Sequence, residues 1–97
     1  MNLRFDNQPG NMSIMMPSEI NDSNASDIAH EIKTMLRKHT PSNITIDFSE
    51  TISISGNSYK LINIIRQTAK QYGGVVSLYN MASNIQNYLL LNNVKII

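Results

Sequence analysis

Cysteine is absent from the 97 residues of this sequence. Disulfide bonds, cysteine-based zinc sites, iron–sulfur clusters and thiol catalysis are therefore excluded. No apolar run approaches the roughly 20 residues that a membrane-spanning helix needs, and the first residues lack the basic and then apolar pattern of a signal peptide. From these absences we expect a soluble cytoplasmic protein that does not insert into a membrane.

Internal repeats, low-complexity segments and interdomain linkers are missing as well. The chain holds only three prolines and four glycines. A chain of this length has room for one hydrophobic core rather than two. We therefore predict a single domain that spans residues 1–97.

A strong excess of either charge is also lacking, since eight Lys and Arg face seven Asp and Glu. All seven carboxylates lie at or before Glu50, whereas Lys60, Arg66, Lys70 and Lys95 follow it. A solvated helix face explains this asymmetry, and a basic patch for an acidic protein surface is the alternative. Four cations without a pair of strand aromatics make a weak nucleic-acid interface, so we expect no nucleic-acid partner.

Signatures of catalysis and of metal binding are scarce. The chain has no glycine-rich phosphate loop and no metal-binding histidine motif. His30 is predicted on a helix surface and His39 at a helix C-terminus, where a cation suits the dipole. Asp47 and Glu50 form only a weak candidate for an acid–base pair. We expect no enzymatic activity, no cofactor and no metal site.

Hydrophobic periodicity places strands and helices in alternation. Strands are predicted over residues 3–6, 12–16, 43–48, 51–54 and 75–79, the last of a buried, mostly apolar kind. A first helix is predicted between the polar stretch at residues 18–26 and the stop at residues 40–42, a second over residues 55–72, and a last one that begins within residues 80–83. Residues 94–97 form a last extended segment or a tail on the core. The first two strands form a hairpin around Pro9 and Gly10, and the later order implies βαβ crossovers. The predicted fold class is α/β, with a single mixed β-sheet and about three helices packed mainly on one face.

The helices carry local signals of their own. Asn24 is predicted to cap the first helix, whose apolar stripe contains Ile28, Ile32, Met35 and Leu36. The second helix is predicted to open in the segment from Ser55 to Ser58, and Gly73 with Gly74 ends it. Its predicted apolar stripe consists of Leu61, Ile64, Ile65, Thr68, Ala69 and Tyr72.

One constellation of segments is more specific than any single motif. Residues 43–49 form a strand that ends in Asp-Phe-Ser, and residues 51–57 lead through Ser-Ile-Ser-Gly-Asn into a long amphipathic helix. A Gly-Gly turn and the strand at residues 75–80 follow. This order and spacing resemble the STAS domain family, whose best-known members are bacterial anti-sigma factor antagonists. The opening hairpin, the Ser-Glu-Ile-Asn turn at residues 18–21 and the first and last helices extend the resemblance over nearly the whole chain.

The resemblance implies a phosphorylation site. The stretch from Ser53 to Gly56 stands where the family has Asp-Ser-Ser/Thr-Gly, and Ser55 takes the place of the phosphoacceptor. Ser53 replaces the family's Asp, Ile54 its first Ser, and Asn21 the Asp of the earlier turn. Ser53 and Ser58 are alternative acceptors, and a plain helix cap is the structural alternative for Ser55. The implied partner-binding surface consists of Asn21, Asp22, Ser23, Ser53, Ile54, Gly56, Asn57 and Ser58.

The resemblance also implies a function. A non-enzymatic partner-switching regulator would bind a serine kinase or anti-sigma-like protein when Ser55 is bare and release it when Ser55 is phosphorylated. A serine phosphatase of the PP2C type would reset the switch, in the control of transcription, stress responses or biofilm formation. The alternative is a STAS accessory subunit that docks permanently on a transporter ATPase.

Overall fold

The computed structural model describes residues 2–96 of the chain. The elements within these residues follow the predicted alternation of strands and helices. In chain order they are β1 (Arg4–Gln8), β2 (Asn11–Met15), β3 (Glu19–Ile20), α1 (Ala25–His39), β4 (Asn43–Asp47), β5 (Ser53–Ile54), α2 (Lys60–Gln71), β6 (Val75–Tyr79) and α3 (Ser83–Leu91).

The main sheet has four strands in the order β1-β2-β4-β6. The hairpin β1–β2 is antiparallel, and its two-residue connection is Pro9-Gly10, where Gly10 adopts a φ of 80°. Strand β4 runs parallel to both β2 and β6, so α1 and α2 are crossover connections. The predicted mixed α/β sheet is confirmed.

A second, smaller sheet was not predicted. Strands β3 and β5 pair in parallel, Glu19 with Ser53 and Ile20 with Ile54. Two-residue strands are too short to show a periodic hydrophobic signal, so the sequence indicated only a polar turn near β3. This small sheet joins the two segments that carry the predicted site.

The core lies on one face of the main sheet. Met12 and Ile14 of β2, Ile44 and Ile46 of β4 and Leu78 of β6 point to this face and are buried. The helices cover them with Ile28, Ile32, Leu36, Leu61, Ile62, Ile65, Ala69, Ile85 and Leu89. The residues between them in the strands face the other side, where Ser13 and Ser77 are exposed and Thr45 is half-buried. The predicted packing of the helices on one face is therefore confirmed.

The apolar stripe of α2 differs from the prediction at three positions. Ile62 is buried, whereas Ile64 and Tyr72 are both exposed. The buried residues of α2 occupy one arc of about 120° at 100° per residue, and Ile64 falls outside this arc. Tyr72 falls on the arc, but it follows the last helical residue, Gln71.

Strand β6 and the C-terminal segment complete the fold. The prediction of a buried β6 is wrong, because alternate residues of β6 lie on the face of the sheet opposite the helices, which leaves Val75 65% and Tyr79 52% exposed. Beyond α3, the N–H groups of Asn93 and Val94 donate to the carbonyls of Leu90 and Leu89, which closes the helix with a Schellman motif. Val94 is buried, so residues 94–96 form the tail on the core; residue 97 of the predicted segment lies outside the described residues.

Candidate functional site

The loop between β5 and α2 carries Ser55, and helix α2 begins later than predicted. The first residue of α2 is Lys60, not Ser55. Gly56 adopts a φ of 66°, a left-handed conformation that interrupts helical geometry one residue after Ser55. The N–H of Ser55 donates to the Ile20 carbonyl at 3.0 Å, while the carbonyl of Ser55 accepts from the Ser58 N–H at 3.4 Å. The backbone of Ser55 is thus held in place, and its side chain is exposed.

The carboxylate of Asp22 lies against this loop. Its Oδ1 accepts a hydrogen bond of 2.9 Å from the N–H of Asn57. A Cβ atom built on Gly56 would lie only 2.3 Å from Oδ2 of Asp22, so only glycine leaves room for this approach. The first N–H groups of α2, from Lys60 to Ile62, donate to the carbonyls of Asn57, Ser58 and Tyr59. Asp22 therefore supplies its negative charge three residues before the helix begins, in the loop where sequence reasoning expected Ser55 to act as a cap.

A capping box fixes the position of Asp22. Oδ1 of Asn21 accepts from the N–H groups of Ser23 at 2.9 Å and Asn24 at 3.2 Å. In return, Oδ1 of Asn24 accepts from the Asn21 N–H at 2.9 Å. Asn24 precedes the first residue of α1, as predicted, but its side chain bonds backwards and the helix-directed cap is Asn21. The amide of Asn21 thus has a structural role at the turn where the STAS family has Asp.

Tyr88 of α3 fastens the other side of the loop. Its hydroxyl donates to the Gly56 carbonyl at 2.6 Å and accepts from the Tyr59 N–H at 3.1 Å. Burial raises the pKa of Tyr88, which keeps the hydroxyl protonated and able to donate. Sequence reasoning did not assign Tyr88 to the site, because no local pattern links it to a loop 32 residues earlier.

The structure brings the predicted site residues to one end of the molecule, but not all of them to the surface. Asp22, Ser23, Ser53, Ser55, Gly56 and Asn57 are exposed, and Asn21 is half-buried. Ile54 is 8% exposed and packs in the core, and Ser58 is 1% exposed. The Oγ atom of Ser58 has no hydrogen-bond partner among the described residues. These placements favour Ser55 and Ser53 over Ser58 as positions that another protein can reach.

Ile52 was missed by sequence reasoning. This side chain is 73% exposed one residue before β5, and its carbonyl accepts from the side-chain amide of Asn84 at 2.9 Å. Alternation could not have found it, because a period of two places Ile52 on the same side as the buried Ile54, whereas Ile52 and Ser53 are both exposed between the buried Thr51 and Ile54. An exposed isoleucine beside Ser53 and Ser55 adds apolar surface to the candidate site.

Asp47 and Glu50, the weak candidate for an acid–base pair, both have structural partners. Asp47 accepts hydrogen bonds from the Ser49 N–H at 2.8 Å and the Asn80 side chain at 3.1 Å, and Glu50 pairs with Arg4. Partial burial acts to raise the pKa of Asp47, but these hydrogen bonds outweigh it and lower that pKa.

No group of three or more potential metal ligands occurs within residues 2–96. Nor is any helix of this part of the chain long and apolar enough to cross a membrane.

No protein-family model matches the sequence, and no curated protein matches it significantly. Solved structures, in contrast, match over almost the whole chain. The anti-sigma factor antagonist SpoIIAA of Bacillus, in its unphosphorylated form, has a TM-score of 0.83 at 12% identity, over 95% of this chain and 81% of that chain. SpoIIAA has also been solved in its phosphorylated form.

Two further structures extend this likeness. An anti-sigma-factor antagonist (STAS) domain protein from Planctomyces limnophilus has a TM-score of 0.75 at 17% identity, over 92% of this chain and 79% of that chain. A part of the murine anion transporter Slc26a9 has a TM-score of 0.73 at 14% identity, over 89% of this chain and 14% of the transporter. The chain therefore has the fold of the STAS-domain anti-sigma factor antagonists, as the resemblance in its sequence predicted.

Proposed function

We propose that this protein is a non-enzymatic, cytoplasmic partner-switching regulator whose switch is phosphorylation of Ser55. The observation that carries this proposal is the exposed Ser55 side chain on a loop whose backbone is held by Ile20, Asp22 and Tyr88. The STAS fold, shared with anti-sigma factor antagonists, supports the same conclusion. The partner is a serine kinase or anti-sigma-like protein, and a PP2C-type phosphatase restores the bare serine.

A phosphate at Ser55 switches binding through local charge. It adds about −1.5 to −2 charges and three acceptor oxygens. Asp22 already accepts the N–H of Asn57, two residues after Ser55, so the added anion meets an existing carboxylate instead of a free helix terminus. A partner that covers the loop would have to desolvate both charges. The fold itself tolerates the change because Ser55 is exposed and its hydroxyl makes no hydrogen bond among the described residues.

The first test is site-resolved phosphorylation of the protein purified from its native host. Trypsin releases residues 39–60 as one peptide, which contains Ser53, Ser55 and Ser58. We expect fragmentation to place phosphate on Ser55. Phosphate confined to Ser53 or Ser58, or absent under every growth condition, would contradict the assignment.

The second test compares partner binding by charge variants. We expect Ser55→Ala to bind constitutively and Ser55→Asp to lose at least about 2 kcal/mol of binding free energy, roughly 30-fold in affinity. Ser77→Asp is the matched control, because Ser77 is also exposed but lies on the helix-free face of the sheet. Equal affinity of the Ser55→Asp and Ser77→Asp variants would refute a switch at Ser55.

A second candidate function is permanent docking on a transporter ATPase. The likeness to a part of an anion transporter and the replacement of the family's Asp by Ser53 favour it. This function predicts a stoichiometric complex whose affinity is the same for the protein, for Ser55→Ala and for Ser55→Asp. The binding comparison therefore separates the two functions.

A further inference from the structure

The outer edge of β6 has unpaired backbone groups. The N–H of Val75 and the carbonyl of Tyr79 bond to residues beside β4, at Ser42 and Phe48. Because backbone groups alternate in direction along a strand, the N–H and C=O groups of Val76 and Leu78 point away from β4. No backbone hydrogen bond joins either residue to any other described part of the chain on that side. Four hydrogen-bonding groups are thus available to an added strand.

This edge lacks the features that usually prevent strand addition. The five residues of β6 are Val-Val-Ser-Leu-Tyr, without charge, proline or a bulge. The opposite edge is different, because β1 carries Arg4 and Asp6 and ends beside Pro9. Of the two edges, only β6 therefore offers an apolar strand for pairing.

A basic groove runs beside the open edge. It has a volume of about 470 Å³ and is lined by Asn63 and Arg66 of α2, Val76 of β6, and Asn93 and Lys95 of the C-terminal segment. Arg66 is half-buried, yet its guanidinium makes no ion pair or hydrogen bond with the described residues. Burial of this unpartnered cation lowers the pKa of Arg66. A carboxylate in the groove would offset the lost hydration through charge-assisted hydrogen bonds.

We propose that the β6 edge and this groove bind an extended acidic segment of a protein partner by strand addition. The backbone of the segment pairs with Val76 and Leu78, and a carboxylate side chain contacts Arg66 and Lys95. Strand addition derives affinity from main-chain hydrogen bonds and specificity from neighbouring side-chain sites. This surface involves none of the residues around Ser55, so the proposal stands independently of the phosphorylation switch.

A second copy of the chain is a poorer occupant of the same edge. Antiparallel pairing of β6 with its own copy would bring two sets of Arg66 and Lys95 to one interface. No carboxylate lies in residues 51–97 to compensate them, since Glu50 is the last acid in the sequence. Like charges across a strand pair are destabilising, whereas an acidic segment is complementary.

The test is an NMR titration of the isotope-labelled protein with a blocked peptide of alternating valine and glutamate. We expect the Val76 and Leu78 amides to shift, and the analogous glutamine peptide to bind at least about ten-fold more weakly. Arg66→Gln should weaken the binding of the glutamate peptide by a similar factor. Binding that is equal for both peptides, or shifts confined to other residues, would overturn the proposal.

Two variants of one residue separate strand pairing from charge attraction. Val76→Pro removes an N–H that faces away from β4, so the main sheet keeps its ladder and peptide binding should be lost. Val76→Thr keeps both the N–H and the β-branched shape and should bind as the unaltered protein does. Retained binding by Val76→Pro, in a variant with unchanged far-ultraviolet circular dichroism, would refute strand addition. Concentration-dependent dimerisation that Val76→Pro abolishes would assign the edge to a second copy instead.

Discussion

At the scale of single residues, Gly56 and Asp22 are mutually dependent. Gly56 has a positive φ, which disfavours any side chain, and its missing Cβ leaves the space that Oδ2 of Asp22 occupies. Gly10 also has a positive φ, but nothing lies within 4 Å of its Cβ position. Substitution of the two glycines therefore separates the cost of a side chain at positive φ from the cost of displacing the Asp22 carboxylate.

We predict that Gly56→Ala destabilises the protein more than Gly10→Ala does. The left-handed conformation costs about 1–2 kcal/mol at either position. At Gly56 the displaced carboxylate also loses its hydrogen bond from Asn57, about 1.5–3 kcal/mol for a charged acceptor. Urea denaturation of both variants gives the difference. Equal losses would show that Asp22 contributes nothing to the loop.

We also predict that Tyr88→Phe destabilises the fold by about 1–2 kcal/mol, because the Gly56 carbonyl and the Tyr59 N–H each lose a partner. Tyr79→Phe is the matched control: Tyr79 is exposed and its hydroxyl makes no hydrogen bond within residues 2–96, so its loss should stay below about 0.5 kcal/mol. Thermal unfolding followed by circular dichroism measures both. Indistinguishable melting temperatures for the two variants would contradict the role of the Tyr88 hydroxyl.

At the scale of elements, the C-terminal ends of the parallel strands β4 and β6 are joined by the hydrogen bond that the Asn80 side chain donates to Asp47. Asp47 also accepts the Ser49 N–H, which directs the chain out of β4 towards β5. Since these bonds favour the carboxylate form, folding lowers the pKa of Asp47 below the ordinary value of an aspartate side chain. The contribution of Asp47 to stability is therefore present above that value and is lost as the pH falls through the lower pKa of the folded state.

We accordingly predict that Asp47→Asn is destabilising at neutral pH and that its effect shrinks in acid. Below the pKa of the folded state, the protonated carboxyl and the amide each offer one acceptor oxygen, so the two proteins become similar. Urea unfolding of both proteins at pH 6 and at about pH 3 gives the difference in their free energy of unfolding at each pH. A difference that does not change with pH would show that the hydrogen bonds of Asp47 do not depend on its charge.

The strands and helices also show which local sequence signals are sufficient to predict where an element begins and ends. The bounds of β6, predicted from a short apolar run after Gly-Gly, agree with the prediction to the residue, and β4, predicted from alternation, is one residue shorter than expected. The start of α2 was misplaced, since Ser55 and Ser58 resemble caps while the observed anion at this start, Asp22, is 35 residues away from Asn57. The position of the candidate loop followed from the STAS resemblance, but its contacts with Asp22 and Tyr88 are tertiary and leave no local pattern.

At the scale of the whole molecule, the buried side chains of the described residues form one continuous cluster that includes all three helices and the main sheet. The small β3–β5 sheet contributes Ile20 and Ile54 to the same cluster. We therefore predict that residues 1–97 unfold as one cooperative unit. Far-ultraviolet circular dichroism, which reports backbone structure, and tyrosine fluorescence should give the same urea midpoint. Separate midpoints would contradict the single domain.

The C-terminal end of helix α2 is suited to the attachment of a label. The helix starts near the candidate loop and extends about 16 Å to Gln71, at 1.5 Å per residue. Gln71 is exposed. Because the sequence has no cysteine, Gln71→Cys would create a unique attachment point for a fluorophore or a sensor surface. A protein immobilised in this way presents the Ser55 loop to solution, so every variant described above can be compared in one fixed orientation.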